Sequence, residues 1–288
     1  MNEYVIFTDS GSDIKPEVLK KWGVEYKNLT FRFDDSDREF TNEDMTISDF
    51  YTRMREGGIA KTSAINPEIF AEAFEKILSE GKDILYLGFS SGLSTTFNSA
   101  RIAAGELLDK YPERKIITVD TLCASAGLGL AVYIACEKKN SGATIEENAE
   151  YLGEICPKIS HWVTVDDLEY LKRGGRVSPT VAFVGKALGI KPIIHVTNEG
   201  KLDSVSKARG RKAAVTAIVD KYGETAEKAE GGFVFISHAD ASEDADMLVE
   251  MLRSRYGVSV EMITDIGPVI GAHAGPGTLA LFYIAKER

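Results

Sequence analysis

The stretch Gly88-Phe89-Ser90-Ser91-Gly92-Leu93-Ser94-Thr95-Thr96-Phe97-Asn98-Ser99-Ala100 carries five hydroxyl side chains within the seven residues from Ser90 to Thr96. Before it, Asp83-Ile84-Leu85-Tyr86-Leu87 is a compact apolar run suited to a buried strand. After it, Phe97, Ala100, Ala103, Ala104, Leu107 and Leu108 recur at helical spacing. A strand therefore enters a helix through a hydroxyl-rich turn. Free N–H groups at a helix start, together with the positive end of its dipole, attract an anion, and Gly92 permits close approach. A Ser91 or Ser94 that simply caps the helix accounts for one hydroxyl but not for five.

Other residues could serve the same chemistry. Lys61-Thr62-Ser63-Ala64-Ile65-Asn66-Pro67 places two hydroxyls ahead of a second helix start, with Asn66 as cap and Pro67 as first helical residue. His273 stands among four glycines and two prolines in a run read as a loop, a context that favours an imidazole facing a ligand over one in the core. Lys172, Arg173 and Arg176 surround two glycines, and Arg209, Arg211 and Lys212 open a later helix. Each cluster suits an anion or an acidic partner, or is a solvated helix end.

Common enzyme signatures are mostly missing. There is no Gly-x-x-x-x-Gly-Lys-Ser/Thr loop, and Gly127-Leu128-Gly129 lacks the third glycine of a dinucleotide fingerprint. Asp9 and Asp13 suit turn capping better than a metal-bound phosphoryl-transfer site. Gly88-Phe89-Ser90-Ser91-Gly92 has the letters of a nucleophile elbow, and Asp265 and His273 follow in the order an acyl-ester hydrolase would need. That reading leaves the neighbouring hydroxyls without a role.

The elements that would position these groups follow from the chain's periodicity. Strands at Tyr4–Phe7, Tyr26–Phe33, Asp83–Leu87 and Lys115–Asp120 alternate with helices at Pro16–Trp22, Thr46–Arg55, Pro67–Glu80, Phe97–Leu108 and Thr121–Cys136. This order predicts an α/β fold with an open parallel sheet covered on both faces, whose ligands sit beyond the carboxyl ends of its strands. Gly127 and Gly129 imply close packing, for which a neighbouring helix would suffice. The second half reads as α+β. It has a strand at Ile159–Val165, helices at Leu168–Leu171 and Ser178–Leu188, and a hairpin of Lys191–Val196 with Lys201–Lys207. Phe233–Ser237, Asp244–Arg255, Val258–Ile263 and a last strand through Ile284 complete it.

Composition bounds the partners. With 288 residues, 44% hydrophobic and 27% charged, the chain can bury a large core divided into two domains. A net charge of -10 disfavours nucleic acid and anionic membrane as partners. Cys123, Cys136 and Cys156 have neither disulfide nor zinc spacing, so no metal is expected. No basic leader and no bilayer-length apolar helix is read, which makes the expected location cytoplasmic, without membrane insertion.

Five segments in order resemble the DegV family over essentially the whole chain: Thr8–Asp13, Lys61–Ser63, Ser90–Ala100, Asp166–Arg176 and Gly267–Gly277. The resemblance implies a three-layer α/β/α domain with a parallel sheet, residues 1–160. It implies a second, smaller α/β domain with a mixed sheet, residues 161–288, whose last strand is able to return to the first. A long-chain fatty acid would lie enclosed between them as the ligand, with no other cofactor. The protein would be a non-catalytic monomer that presents the acyl carboxylate to a separate ATP-dependent fatty acid kinase subunit, which makes acyl phosphate.

Carried over by position, the resemblance places carboxylate binding on Thr62, Ser63, Ser94, Thr95 and His273. It turns Arg173, Arg176 and Arg209 toward the partner, together with Lys172 and Arg211. The family's usual Thr-Ser-x-Pro-Ser is here Thr62-Ser63-Ala64-Ile65-Asn66, and its Gly after Leu-Ser is Thr95. A structural or sensory α/β domain is the reading in which none of these residues matters.

Overall fold

The apolar runs at Val5-Ile6-Phe7 and Ile84-Leu85-Tyr86-Leu87 form strands buried on both faces, the setting in which parallel pairing is stable. The computed structural model describes residues 3–177 and 189–288. The expected helix Ser178–Leu188 lies outside the described residues. In chain order the first strands are β1 (Tyr4–Asp9), β2 (Val24–Lys27), β3 (Thr30–Phe33), β4 (Ala60–Ser63), β5 (Asp83–Gly88) and β6 (Ile116–Asp120). Then follow β7 (Ile159–Thr164), β8 (Ile190–Val196), β9 (Leu202–Arg209), β10 (Phe233–His238), β11 (Ser259–Asp265) and β12 (Leu279–Ile284). The helices are α1 (Pro16–Trp22), α2 (Ile47–Arg55), α3 (Pro67–Ser79), α4 (Thr96–Lys110), α5 (Ala126–Asn140), α6 (Ile145–Ile155), α7 (Glu169–Arg173), α8 (Arg211–Thr225), α9 (Ser242–Tyr256) and α10 (Pro268–Ala274).

Among the described residues the strands form a parallel four-stranded sheet in the order β2-β1-β5-β6, a mixed six-stranded sheet in the order β11-β10-β12-β7-β8-β9, and the pair β3-β4. The α3 start is fixed by Asn66, whose side chain accepts from Ile69 N at 2.9 Å, and by Pro67. Its Phe70 and Phe74 then pack on Phe7 and Tyr86 of the parallel sheet, with Phe74 and Phe7 rings edge to face at 5.1 Å. On the second sheet, α8 and α9 bury Val215, Ile218, Leu248 and Leu252 against Trp162, Ile236 and Leu281.

From Ala126 to Cys136 helix α5 is apolar all round and buries ten of its residues, the signature of a helix with protein on every side, while its last turn is charged. It touches β1 and β5 of one sheet and β7, β10 and β12 of the other. Its glycines do allow close approach, but not to a helix. A β-carbon on Gly127 would fall 2.2 Å from His161 Nε2 in β7, and one on Gly129 2.4 Å from Ile14.

Four expectations are corrected. The segment Tyr26–Phe33 is two strands in two sheets, because the chain breaks at Asn28-Leu29, where Leu29 N donates to Ser10 Oγ at 3.0 Å. The helix expected from Thr121 begins only at Ala126: Thr121 Oγ1 donates to Gly88 O and accepts from Cys123 N, and Leu122 and Ser125 both take a φ of 53°. The run around His273 is not a loop but α10, with Pro268 in its first turn, Gly271 N donating to Gly267 O, and Gly275 ending it at a φ of 81°. The last strand, β12, does not return to the parallel sheet; it lies between β10 and β7. The expected boundary at 160/161 falls inside β7, while α10 packs against α2, β3 and β4.

Candidate functional site

Strand β4 and helix α10 meet where Thr62 Oγ1 and His273 Nε2 share a hydrogen bond of 2.8 Å. The start of α4 faces them across a cavity of about 570 Å³ whose walls include Thr62, Ser94, Thr95, Arg176 and His273. At that start, Ser94 Oγ accepts from Thr96 N at 3.2 Å and shares a bond with Thr96 Oγ1. The amides of Thr95, Phe97 and Asn98 find no acceptor among the described residues. One hydroxyl is thus spent on capping, while three amides at the positive end of a 15-residue helix remain for an anion.

The charges agree with that sign. Burial, and secondarily the Arg176 cation, push the His273 pKa down to about 4, so the imidazole is neutral at pH 7. Its Nδ1 is buried and has no hydrogen-bond partner among the described residues. Arg176 donates through Nε to Leu93 O at 3.2 Å and through Nη1 to Gly174 O, and no carboxylate pairs with it among the described residues. A cation, a helix N-terminus and hydroxyl groups therefore converge in a chain of net charge -10.

Away from this polar end the cavity is walled by Leu29, Phe89, Val163, Val165, Ile194, Val196, Ile266, Val269, Ala280 and Phe282. Residues at alternate positions of β7, β8 and β12 supply much of this surface, as the two-residue period of a strand requires. Three further polar residues of the wall, His161, Thr278 and Ser125, are engaged elsewhere. His161 shares a bond with Ile159 O at 3.0 Å, Thr278 Oγ1 donates to Ala274 O, and Ser125 Oγ donates to Asp13 Oδ2 at 2.6 Å.

The remaining expected residues lie elsewhere. Ser63 is exposed and does not line the cavity, because successive side chains of β4 point to opposite faces. Arg173 lies over the Tyr170 ring and Arg209 is exposed at the end of β9; neither reaches the cavity, whereas Arg176 does. Lys172 pairs with Glu169 at 2.9 Å, and Arg211 with Asp244 at 2.8 Å. The serine-hydrolase constellation is not assembled. Ser90 is fully buried and donates to Gly200 O at 2.7 Å, His273 is bonded to Thr62, and Asp265 lies 3.6 Å from Lys15.

Among the described residues no group of His, Cys, Asp and Glu is arranged to hold a metal, and no helix is long and apolar enough to cross a membrane.

A family model described as "Uncharacterised protein, DegV family" matches residues 3–286. The chain belongs to the DegV family. A DegV domain-containing protein of Clostridium perfringens is 41% identical over 289 residues, covering 100% of this chain and 99% of that one. Among solved structures, a DegV lipid-binding protein of Thermotoga maritima superposes with a TM-score of 0.87 at 33% identity, covering 99% of each chain. A fatty-acid-binding DegV protein of Thermus thermophilus gives 0.87 at 30% identity, covering 99% of this chain and 100% of that one. The DegV fold of these relatives is the one seen here, with its separate parallel and mixed sheets.

Proposed function

We propose that the protein binds a long-chain fatty acid in the cavity between the two sheets and presents its carboxylate to a separate ATP-dependent kinase subunit that forms acyl phosphate. The observation that carries this reading is the division of one cavity into a polar end, built by Thr62, Ser94, Thr95, His273 and the α4 amides, and an apolar remainder. Fatty-acid binding by the Thermus thermophilus relative supports the choice of ligand. The volume of about 570 Å³ is in the range of small-molecule sites.

The magnitudes assign the roles. Burying ~16 methylenes at ~0.8 kcal/mol each offers up to ~13 kcal/mol before ordering costs. Each hydrogen bond to the carboxylate contributes ~1.5–3 kcal/mol. The tail supplies affinity and the head group supplies orientation. Exposed Thr95 at the cavity rim leaves the carboxylate within reach of an incoming phosphoryl group. Arg173 and Arg209, exposed outside the cavity, suit contact with the acidic or phosphate-bearing kinase, and the protein acts as a cytoplasmic monomer without catalysis of its own.

The test is organic extraction of the purified protein followed by mass spectrometry. Stoichiometric fatty acid is expected, together with acyl phosphate once a cognate kinase subunit and ATP are added. Protein that carries no fatty acid and takes up none from solution would overturn the reading.

A further inference from the structure

Arg288 lies beyond the end of β12, outside the cavity wall, yet every N–H of its guanidinium has an acceptor. Nε donates to Ile159 O at 3.1 Å. Nη1 donates to Leu122 O at 3.0 Å and Thr197 O at 3.5 Å, and Nη2 to Cys156 O at 2.6 Å and Cys123 Sγ at 3.3 Å. No carboxylate pairs with it among the described residues. A cation that spends all its donors on backbone carbonyls and a thiol is holding chain segments in place rather than balancing charge.

Two of the segments it holds, the turn after β6 and the turn between β8 and β9, converge on one residue. Leu122 and Cys123 belong to the turn after β6, where Leu122 is held at a φ of 53° and Cys123 O accepts from Ser90 N at 2.9 Å. Thr197 opens the turn between β8 and β9, where Gly200 O accepts from Ser90 Oγ at 2.7 Å. Gly92 lies so close to this second turn that a β-carbon on it would fall 2.5 Å from Glu199 O. Both bonds that fix Ser90 therefore come from turns tied down by Arg288. Ser90 O in turn accepts from Leu93 N at 3.0 Å and Ser94 N at 3.1 Å, which sets the loop carrying Ser94 and Thr95.

We propose that Arg288 is a positioning residue for head-group recognition: it clamps two turns onto Ser90 and so sets the Ser90–Thr95 loop against Thr62 and His273. The inference rests on the fatty-acid reading of the cavity for its ligand, but not for the clamp itself. Lysine, a point charge with three donors, cannot span the five acceptors that the planar fork reaches.

The test compares the wild-type chain with Arg288→Lys and Arg288→Gln, using hexadecanoic acid and hexadecanol as probes of equal tail length. Both variants are expected to lose about tenfold in affinity for the acid, the worth of one hydrogen bond to a charged group, with affinity for the alcohol unchanged. In lipid-free protein, amide hydrogen exchange is expected to quicken across Ser90–Thr95 and not in β5. Equal losses on acid and alcohol, or unaltered exchange in that loop, would overturn the positioning role. Wild-type protein that binds neither probe, with the loop still loosened in the variants, would overturn the ligand reading and leave the clamp standing. Should either variant fold poorly, Ser90→Ala leaves Arg288 in place and removes the Gly200 anchor together with the bond from Gly92 N, and the same selective loss on the acid is expected from it.

Discussion

A β-carbon on Gly174 would sit 2.1 Å from His273 Nδ1, so the turn after α7 and the imidazole of α10 occupy adjoining space with no gap between them. The backbone of Gly174, at a φ of −72°, is open to any residue, so proximity to the ring is what requires glycine there. Gly174→Ala is expected to push the ring off Thr62. Fatty-acid affinity should fall about tenfold, as for one lost charge-assisted bond, with a small change in melting temperature; calorimetric titration and thermal melts read the two effects separately.

Thr62 and Ser63 are neighbours in sequence and on opposite faces of β4. Thr62→Ala should weaken fatty-acid binding by about ten- to a hundredfold, the equivalent of ~1.5–3 kcal/mol. Ser63→Ala, at an exposed position, should stay within ~0.5 kcal/mol of wild type in both binding and stability. Parallel titrations check the pair, and equal losses would contradict the assigned faces.

Burial pushes the Asp13 pKa up to about 8 from 3.8, against the pull of its bonds from Ser125 Oγ and Gly267 N. Between those values the folded chain keeps a proton that the unfolded chain has released, so stability falls as pH rises through this window. Asp9, raised to about 6 by burial, adds in the same direction over the lower part. His273 works oppositely: with its pKa lowered from 6.5 to about 4, its share of stability is present above pH 6.5 and is lost as pH falls toward 4. Asp13→Asn should therefore gain stability relative to wild type as pH is raised from 6 to 9, measured by urea denaturation at each pH. A difference that does not vary with pH would refute the assignment.

A fluorophosphonate probe should leave the folded protein unmodified, because Ser90 is spent on Gly200 O and His273 is bonded to Thr62. Intact-mass spectrometry checks this; an adduct on Ser90 or Ser91 would revive acyl-ester hydrolysis.

Much of the candidate site was legible because the signals were local. Hydroxyl density marked Ser94 and Thr95, the Asn66-Pro67 cap marked the α3 start behind Thr62, and the glycines and prolines around His273 pointed to an imidazole facing a ligand, although the backbone there proved helical rather than a loop. Ser63 was misplaced since its motif says nothing about which way a strand faces. Arg176 was expected to meet a partner outside; its orientation toward the cavity depends on the Leu93 carbonyl, 83 positions away in sequence, which only the folded chain brings near. The apolar wall was visible in principle as alternating Val163 and Val165, Ile194 and Val196, and Ala280 and Phe282. Choosing the inner face needs the sheet order. Arg288 gave no local signal, because its partners come from three distant segments.

Helix α5 wedges between both sheets with an apolar surface on all sides from Ala126 to Cys136. No cut through this chain can yield two self-sufficient pieces: whichever sheet is taken away, a stripe of leucine, valine and alanine is left bare to water. The two sheets are therefore expected to unfold as one unit around this shared spine.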